Sequence, residues 1–294
     1  MLLTGDMAEK YRVLLTNDDG IAAPGLRALA REASRCGVDV VVAAPLTEAS
    51  GTGAAVTAVE QRGQVVIESR QLLGVHGVPA YAVAASPAFI VLLALRGAFG
   101  PPPQIVLSGI NRGANVGAAV VHSGTVGATL TASHAGLRGL AVSLDVLSPS
   151  AATAVDGGTA LTGADRAEDE SRHWAGAAEL AVRMLSLLAE TPPGTVLNLN
   201  VPDLHPDAVR GLRRAELARF GQVQVSIAEA GEGHVRTAVQ VADEPLEPGT
   251  DLAGLAEGYA VVTPIRAPSG ATDVSLDLET FLVRHPPAPA DAHS

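Results

Sequence analysis

Between residues 11 and 203, strand-length apolar runs alternate with helix-length segments, and several runs break off in a polar turn that contains glycine. Few folds accommodate that alternation. Tyr11-Arg12-Val13-Leu14-Leu15-Thr16-Asn17 has the length and flanks of a buried strand. Pro24-Gly25 opens a stretch with apolar side chains at helical spacing, and Gly37 supplies its stop. "VDVVVAAP", residues 38–45, is a second strand. Strand, helix and strand in this order predict a right-handed crossover in a parallel sheet.

The unit recurs. Pro87 opens a helix over "AFIVLLALRGAFG", "QIVLSGIN" is a strand, and "GTVGATLTASHAGL" is a helix beginning near Gly124. "GLAVSLD", "HWAGAAELAVRMLSLLAE" and "GTVLNLNVPD" continue as strand, amphipathic helix and strand. Thr47 to Tyr81 is less regular, with short strands that include "GQVVIES". The expected fold class is α/β, a Rossmann-like, doubly wound and mostly parallel sheet forming a catalytic core over residues 1–203. Residues 148–170, rich in Ala, Thr, Gly, Ser and Asp, are expected to be a mobile insertion. Residues 204–294 are expected to form an arm of hairpin and helix, with "FGQVQVSIAEAGEGHVRTAVQV" as the hairpin and a disordered Pro/Ala-rich tail from His285.

Composition narrows the chemistry. With 47% hydrophobic but only 3% aromatic residues, the core must be built from Ala, Val and Leu, which suits a sheet covered on both faces. A formal net charge of −11 argues against broad electrostatic binding to nucleic acid or anionic membrane, while leaving room for a local phosphate site. Lys10, the sole lysine, precedes the first strand, where neither a phosphate-loop nucleotidase nor a pyridoxal enzyme can use it. No G-x-G-x-x-G follows that strand, so the usual dinucleotide site is not expected. Cys36 is the only cysteine, which excludes an internal disulfide and a Cys-based zinc site. "MLLTGDMAEK" does not read as a signal peptide, and Ala88 to Leu95 is too short an apolar run to span a bilayer. A cytoplasmic protein with no membrane or nucleic-acid partner is expected.

In a doubly wound sheet, ligands bind beyond the carboxyl ends of the strands. Three segments that follow strands are Asn17-Asp18-Asp19-Gly20, Glu48-Ala49-Ser50-Gly51 and Ser108-Gly109-Ile110-Asn111, and a fourth, His122-Ser123-Gly124-Thr125, precedes a helix. Adjacent carboxylates raise each other's pKa unless a cation or strong donors compensate. Two carboxylates with neutral oxygens from Ser and Asn make a hard, oxygen-only set suited to Mg²⁺ or Mn²⁺. Gly20 permits a positive-φ turn that turns both carboxylates inward. Ser123-Gly124-Thr125 at a helix start offers hydroxyls and free N–H groups to an anion. Taken singly, Asp-Asp-Gly is an ordinary turn and Ser-Gly-Thr an ordinary N-cap. Together, in this order at strand ends, they predict a phosphate-ester site.

"LLTNDDGIAAPGLRALA", "VVAAPLTEASG", "IVLSGINRGANVG", "HSGTVGATLTASHAG", "LAVSL", "LNLNVPD" and "GTDLAGLAEGYAVVTPI" resemble the SurE family of survival-protein-E nucleotidases and phosphatases, over roughly residues 11–284. The resemblance implies a metal-dependent phosphomonoesterase acting on nucleoside 5′- or 3′-monophosphates, with one divalent ion, Mg²⁺ or Mn²⁺, per subunit. It also implies a homodimer or homotetramer assembled through the C-terminal arm. By the same resemblance the metal ligands fall on Asp18, Asp19, Ser50 and Asn111. The phosphate-binding positions fall on Asn115, Ser123, Gly124 and Thr125, with Asn17 and Gly51 beside them. Asp18 or Asp19 is then a candidate base or nucleophile. His122 stands where the family carries tyrosine and is a candidate proton donor to the leaving oxygen. The residues before it, Ala118-Ala119-Val120-Val121, lack the family's acidic residue, which motivates an alternative substrate such as a sugar phosphate or a phosphorylated biosynthetic intermediate. A non-catalytic metal and nucleotide binder is the reading from a different class.

Overall fold

The computed structural model describes residues 11–61, 63–146, 169–220, 223–231, 234–241, 246–270 and 275. Most of the expected insertion and the tail from His285 lie outside the described residues. In chain order the elements are β1 (Arg12–Thr16), α1 (Pro24–Arg35), β2 (Asp39–Pro45), β3 (Glu60–Gln61), β4 (Gln64–Val65), β5 (Ile67–Arg70), β6 (Ala80–Val83) and α2 (Pro87–Leu95). Then follow β7 (Ile105–Arg112), α3 (Gly124–His134), β8 (Arg138–Asp145), α4 (Trp174–Glu190) and β9 (Val196–Pro202). The remainder comprises β10 (Leu212–Arg214), β11 (Val223–Gly231), β12 (His234–Val241), α5 (Asp251–Ala256) and β13 (Ala260–Ile265).

Local chemistry explains where the helices begin. Pro24 and Pro87 occupy the first turns of α1 and α2, where a missing N–H costs nothing. Ser86 and Ser123 cap α2 and α3 by accepting from Phe89 N at 3.4 Å and Val126 N at 3.1 Å. Beyond Cys36, Gly37 takes φ 76° and ends α1.

Among the described residues one sheet has nine strands, in the order β10-β13-β9-β8-β7-β1-β2-β6-β5. The six from β9 to β6 run parallel. Numbered by their appearance in the chain they read 3-2-1-4-5-6 from β6, so the winding reverses between β1 and β7. Antiparallel β5 and β13 flank this set, and β10 pairs parallel to β13. The sheet thus runs past residue 203, where the sequence reading places its division. β11 and β12 form a separate antiparallel ladder.

One sheet face carries Leu15, Val42, Leu107, Val142, Leu197 and Leu199 against α1 and α4, which present Leu26, Leu29, Val182 and Leu185. On the other, Leu14, Val41 and Val106 pack under α2 and α3 through Ile90, Val91, Ala128 and Ala132. Toward the carboxyl ends of the strands, residues of this second face are polar and fully buried: Thr16, Ser108, Ser143, Asn198 and Asn200.

Candidate active site

Asp18 and Asp19 leave β1 at the reversal of the winding. Asn17 closes their turn: its Nδ2 donates to Gly20 O at 3.0 Å and its Oδ1 accepts from Gly20 N at 3.2 Å, with Gly20 at φ 95°. Asn17 is therefore committed to shaping the turn. Asn111 arrives from β7 by way of a bulge, since Ser108 pairs with Ala141 but Asn111 with Ser143, one extra residue on β7. A bulge bends its strand and re-aims the side chains that follow.

α3 supplies the third side. Asp18 accepts from Thr125 N at 3.1 Å and from the Thr125 hydroxyl. The same hydroxyl stands 3.2 Å from Asn111 Oδ1. A Cβ at Gly124 would lie 2.8 Å from Asp18 Oδ2 and 3.0 Å from Thr52 Oγ1, so glycine is what lets the helix start come this close. The helix N-terminus expected to seat a phosphoryl group here holds the Asp18 carboxylate. Such a site favours any anion.

Asp19 keeps some contact with solvent, and its Oδ2 accepts from Arg112 N at 3.3 Å. Lost hydration, then the charge of Asp18, push its carboxyl up to about 8 against the Arg112 N–H. Burial also raises Asp18, opposed by its bonds to Thr125. Two carboxyls that resist ionisation beside each other make a site short of positive charge.

The other expected residues lie around this centre. Ala49 N donates to Asp18 O at 2.7 Å, which brings the loop after β2 alongside, while the exposed Ser50 hydroxyl donates to Glu48 Oε1 at 2.7 Å. Gly51 is exposed at φ 75°. The Ser123 oxygen accepts from Val126 N, a bond that leaves its hydroxyl proton unused. His122 is exposed at the end of a 3₁₀ turn (Gly117–His122), and its carbonyl accepts from Gly53 N at 3.2 Å. Asn115 donates through Nδ2 to Ser143 Oγ at 2.8 Å.

A divalent ion fits this donor set: the Asp18 carboxylate and the Asn111 carboxamide oxygen, which reach the same Thr125 hydroxyl, with the Asp19 carboxylate, whose repulsion by Asp18 the ion relieves. Among the described residues no group of three or more His, Cys, Asp or Glu side chains could hold a metal, so an ion here depends on neutral oxygens to complete its shell.

A sequence model of the family described as "Survival protein SurE" matches residues 13–225. The chain belongs to the SurE family. It is 36% identical over 276 residues to the protein named 5′-nucleotidase SurE from Methanopyrus kandleri, covering 91% of this chain and 94% of that one. A protein of the same name from Nitratidesulfovibrio vulgaris strain DP4 is 35% identical, with 87% and 93% covered. Among solved structures the SurE protein from Aquifex aeolicus superposes with a TM-score of 0.66 at 25% identity, covering 93% of this chain and 99% of that one.

Around the SurE residues the structure adds groups that the sequence reading did not name as site residues. Arg112 turns its Nε to Asp169 Oδ1 at 3.3 Å, and Arg172 Nε stands 3.4 Å from the same oxygen. Arg172 continues to Asp203 Oδ2 at 2.9 Å, and His173 Nδ1 meets Asp203 Oδ1 at 2.8 Å. Asp169 adds to the negative potential felt by Asp19. It is buried, and its neighbour Glu170 accepts from Arg27 Nη2 at 2.7 Å. Buried Asp251 accepts from Gly117 N and Ala218 N, both at 2.9 Å, and so ties the turn before Ser123 to the chain leading into β11. Asp169, Glu170, Arg172 and His173 lie in a polar stretch of the sequence, Asp-Glu-Ser-Arg-His, where charge alone does not mark a residue as part of a site.

Proposed function

We propose that this chain is a divalent-metal-dependent phosphomonoesterase that releases phosphate from nucleoside 5′- or 3′-monophosphates. The observation that supports it most is the meeting of Asp18, Asn111 and Thr125 from the ends of β1 and β7 and the start of α3, with Asp19 alongside. Family membership and relatives named 5′-nucleotidase SurE point the same way. Asp18, Asp19 and Asn111, joined by Ser50 once it leaves Glu48, would hold one Mg²⁺ or Mn²⁺. Bound there, the ion supplies Lewis-acid charge and a more acidic water.

The chain's own residues do the rest. Ser123 donates its hydroxyl proton to a phosphoryl oxygen, and Asn115 offers an amide N–H to another. Thr125 anchors the buried Asp18 while Asp19 keeps contact with solvent, so Asp19 is the carboxylate we assign to take the proton of the attacking water. His122, exposed beside Ser123, gives a proton to the leaving oxygen as its bond to phosphorus breaks. No helix among the described residues is long and apolar enough to cross a membrane, in keeping with our reading of a cytoplasmic enzyme. Among the described residues the β11–β12 ladder joins no strand of the main sheet, which supports its use for pairing subunits as a dimer or tetramer.

A phosphate-release screen tests the reading. Nucleoside 5′- and 3′-monophosphates and sugar phosphates are each incubated with the chain in Mn²⁺, Mg²⁺ or EDTA. Hydrolysis of nucleotides that EDTA abolishes is expected. Turnover of sugar phosphates alone moves the substrate to the alternative class, and no turnover with retained nucleotide binding leaves only a binder.

A further inference from the structure

Asn115 is gripped by its backbone. Asn200 Oδ1 accepts from Asn115 N at 2.8 Å while Asn200 Nδ2 donates to Asn115 O at 3.0 Å. Asn198 Nδ2 donates to the same carbonyl at 2.8 Å. Two residues apart on β9, these carboxamides face the same side of the sheet, and both are fully buried. A carboxamide that serves both the N–H and the C=O of one residue imitates a neighbouring strand, fixing that residue's backbone in position and in rotation. Ser143, the register partner of Asn200 on β8, holds the Asn115 side chain by one N–H of its amide. The second N–H is left for a ligand.

The arrangement costs stability. A buried polar group without a partner loses about 1–3 kcal/mol, and Asn198 Oδ1 has none among the described residues. Leu197, Leu199 and Val201 on the same strand show the apolar side chains that β9 otherwise buries. Three hydrogen bonds onto the backbone of one residue are what the two asparagines provide in exchange.

We infer that Asn198 and Asn200 are positioning residues that fix the Asn115 backbone so that its side-chain carboxamide meets the phosphoryl group. This rests on the phosphatase reading above. Because Asn115 engages the phosphoryl group as it flattens, losing the grip lowers kcat more than it raises KM.

The test is a double-mutant cycle on the full chain, with the divalent ion and nucleotide that give most turnover. Misplacement of about 1 Å costs roughly 10²-fold, so Asn200→Ala is expected to lower kcat/KM about 100-fold, mostly in kcat. Asn115→Ala is expected to lose as much, and the double variant to fall no further than the worse single one. Should Asn200→Ala fail to fold, Asn198→Ala removes one donor to the Asn115 carbonyl and carries the same cycle, with a loss of about tenfold. Full activity in a folded Asn200→Ala or Asn198→Ala, or losses that multiply with that of Asn115→Ala, overturns the inference and leaves the phosphatase reading standing. A wild-type chain that hydrolyses no phosphate ester overturns both, and does so before any variant is made.

Discussion

Leu199 and Asn200 are neighbours on β9, both fully buried, and they face opposite sides of one sheet. On the Leu199 side, against α1 and α4, the strands offer Leu15, Leu107, Val142 and Leu197, a continuous apolar surface. On the Asn200 side, under α3, the corresponding stretch holds Thr16, Ser108, Ser143 and Asn198. The first face draws its stability from removing hydrocarbon from water. Polar groups on the second are equally buried, and each must find a partner or weaken the fold. One sheet therefore separates two tasks by face: holding itself together, and presenting oxygen and nitrogen atoms to the loops beyond its carboxyl edge.

If that division is real, substitutions on the two faces should fail in different ways. Asp18→Asn and Asp19→Asn should each abolish metal-dependent phosphate release. Lost stabilisation of several kcal/mol corresponds to about 10³-fold or more, read by steady-state assay on protein shown to be folded by circular dichroism. Leu199→Ala should do the reverse, losing about 2–5 kcal/mol in denaturant melts while kcat stays near wild type below the transition. An Asp18→Asn enzyme that turns over normally, or a Leu199→Ala enzyme with intact stability and lost kcat, would break the comparison.

A smaller effect is expected from pH. In the metal-free chain the Asp18 and Asp19 carboxyls lie above their unfolded values, so the folded state binds protons that the unfolded state has released. The associated stability is present below the unfolded value of about 4 and is lost as pH rises toward about 8, the folded value of Asp19. In EDTA, melting temperature should therefore fall between pH 5.5 and 8. Asp19→Asn should flatten that slope and melt higher than wild type at pH 8, although it is inactive. Adding Mn²⁺ at pH 8 should restore the loss in wild type and do much less in the variant. A melting temperature that climbs with pH over this range in EDTA would contradict the assignment.

Much of this was legible in the sequence, and the reason differs by element. β1, α1 and β2 could be read because apolar period, Pro24 and Gly37 all agree locally. The carboxylate turn could be read because it combines charge and glycine at a strand end. β13 went unread, since it returns to the sheet from beyond the β11–β12 ladder and "AVVTPI" carries no signal of its partner β9. The bulge that aims Asn111 is a property of register with β8, and register is a long-range fact. Asn115 stands out in the sequence for its side chain, but its hold by Asn198 and Asn200 needs the β9 pairing and the loop path together. By its place in the sequence Thr125 meets phosphate, whereas in the fold its hydroxyl and N–H are directed at Asp18.

The smallest effect probes the polar face most sharply. Thr16 on β1, Ser108 on β7, Asn198 on β9 and Thr263 on β13 lie in one register row, with Ala141 of β8 between Ser108 and Asn198. All four carry a buried polar atom without a hydrogen-bond partner among the described residues. An orphaned hydroxyl weakens a fold, whereas one bound to an interior water does not. Valine matches threonine in shape and suits a central strand. If the Thr16 hydroxyl is an orphan, Thr16→Val should leave stability unchanged or raise it by up to about 1 kcal/mol in urea melts, with Ser108→Ala within about 0.5 kcal/mol of wild type. A loss above about 1 kcal/mol in Thr16→Val would mean that water fills the row beneath α3. The second face would then be solvated from within, and the contrast between the faces would be one of wet against dry.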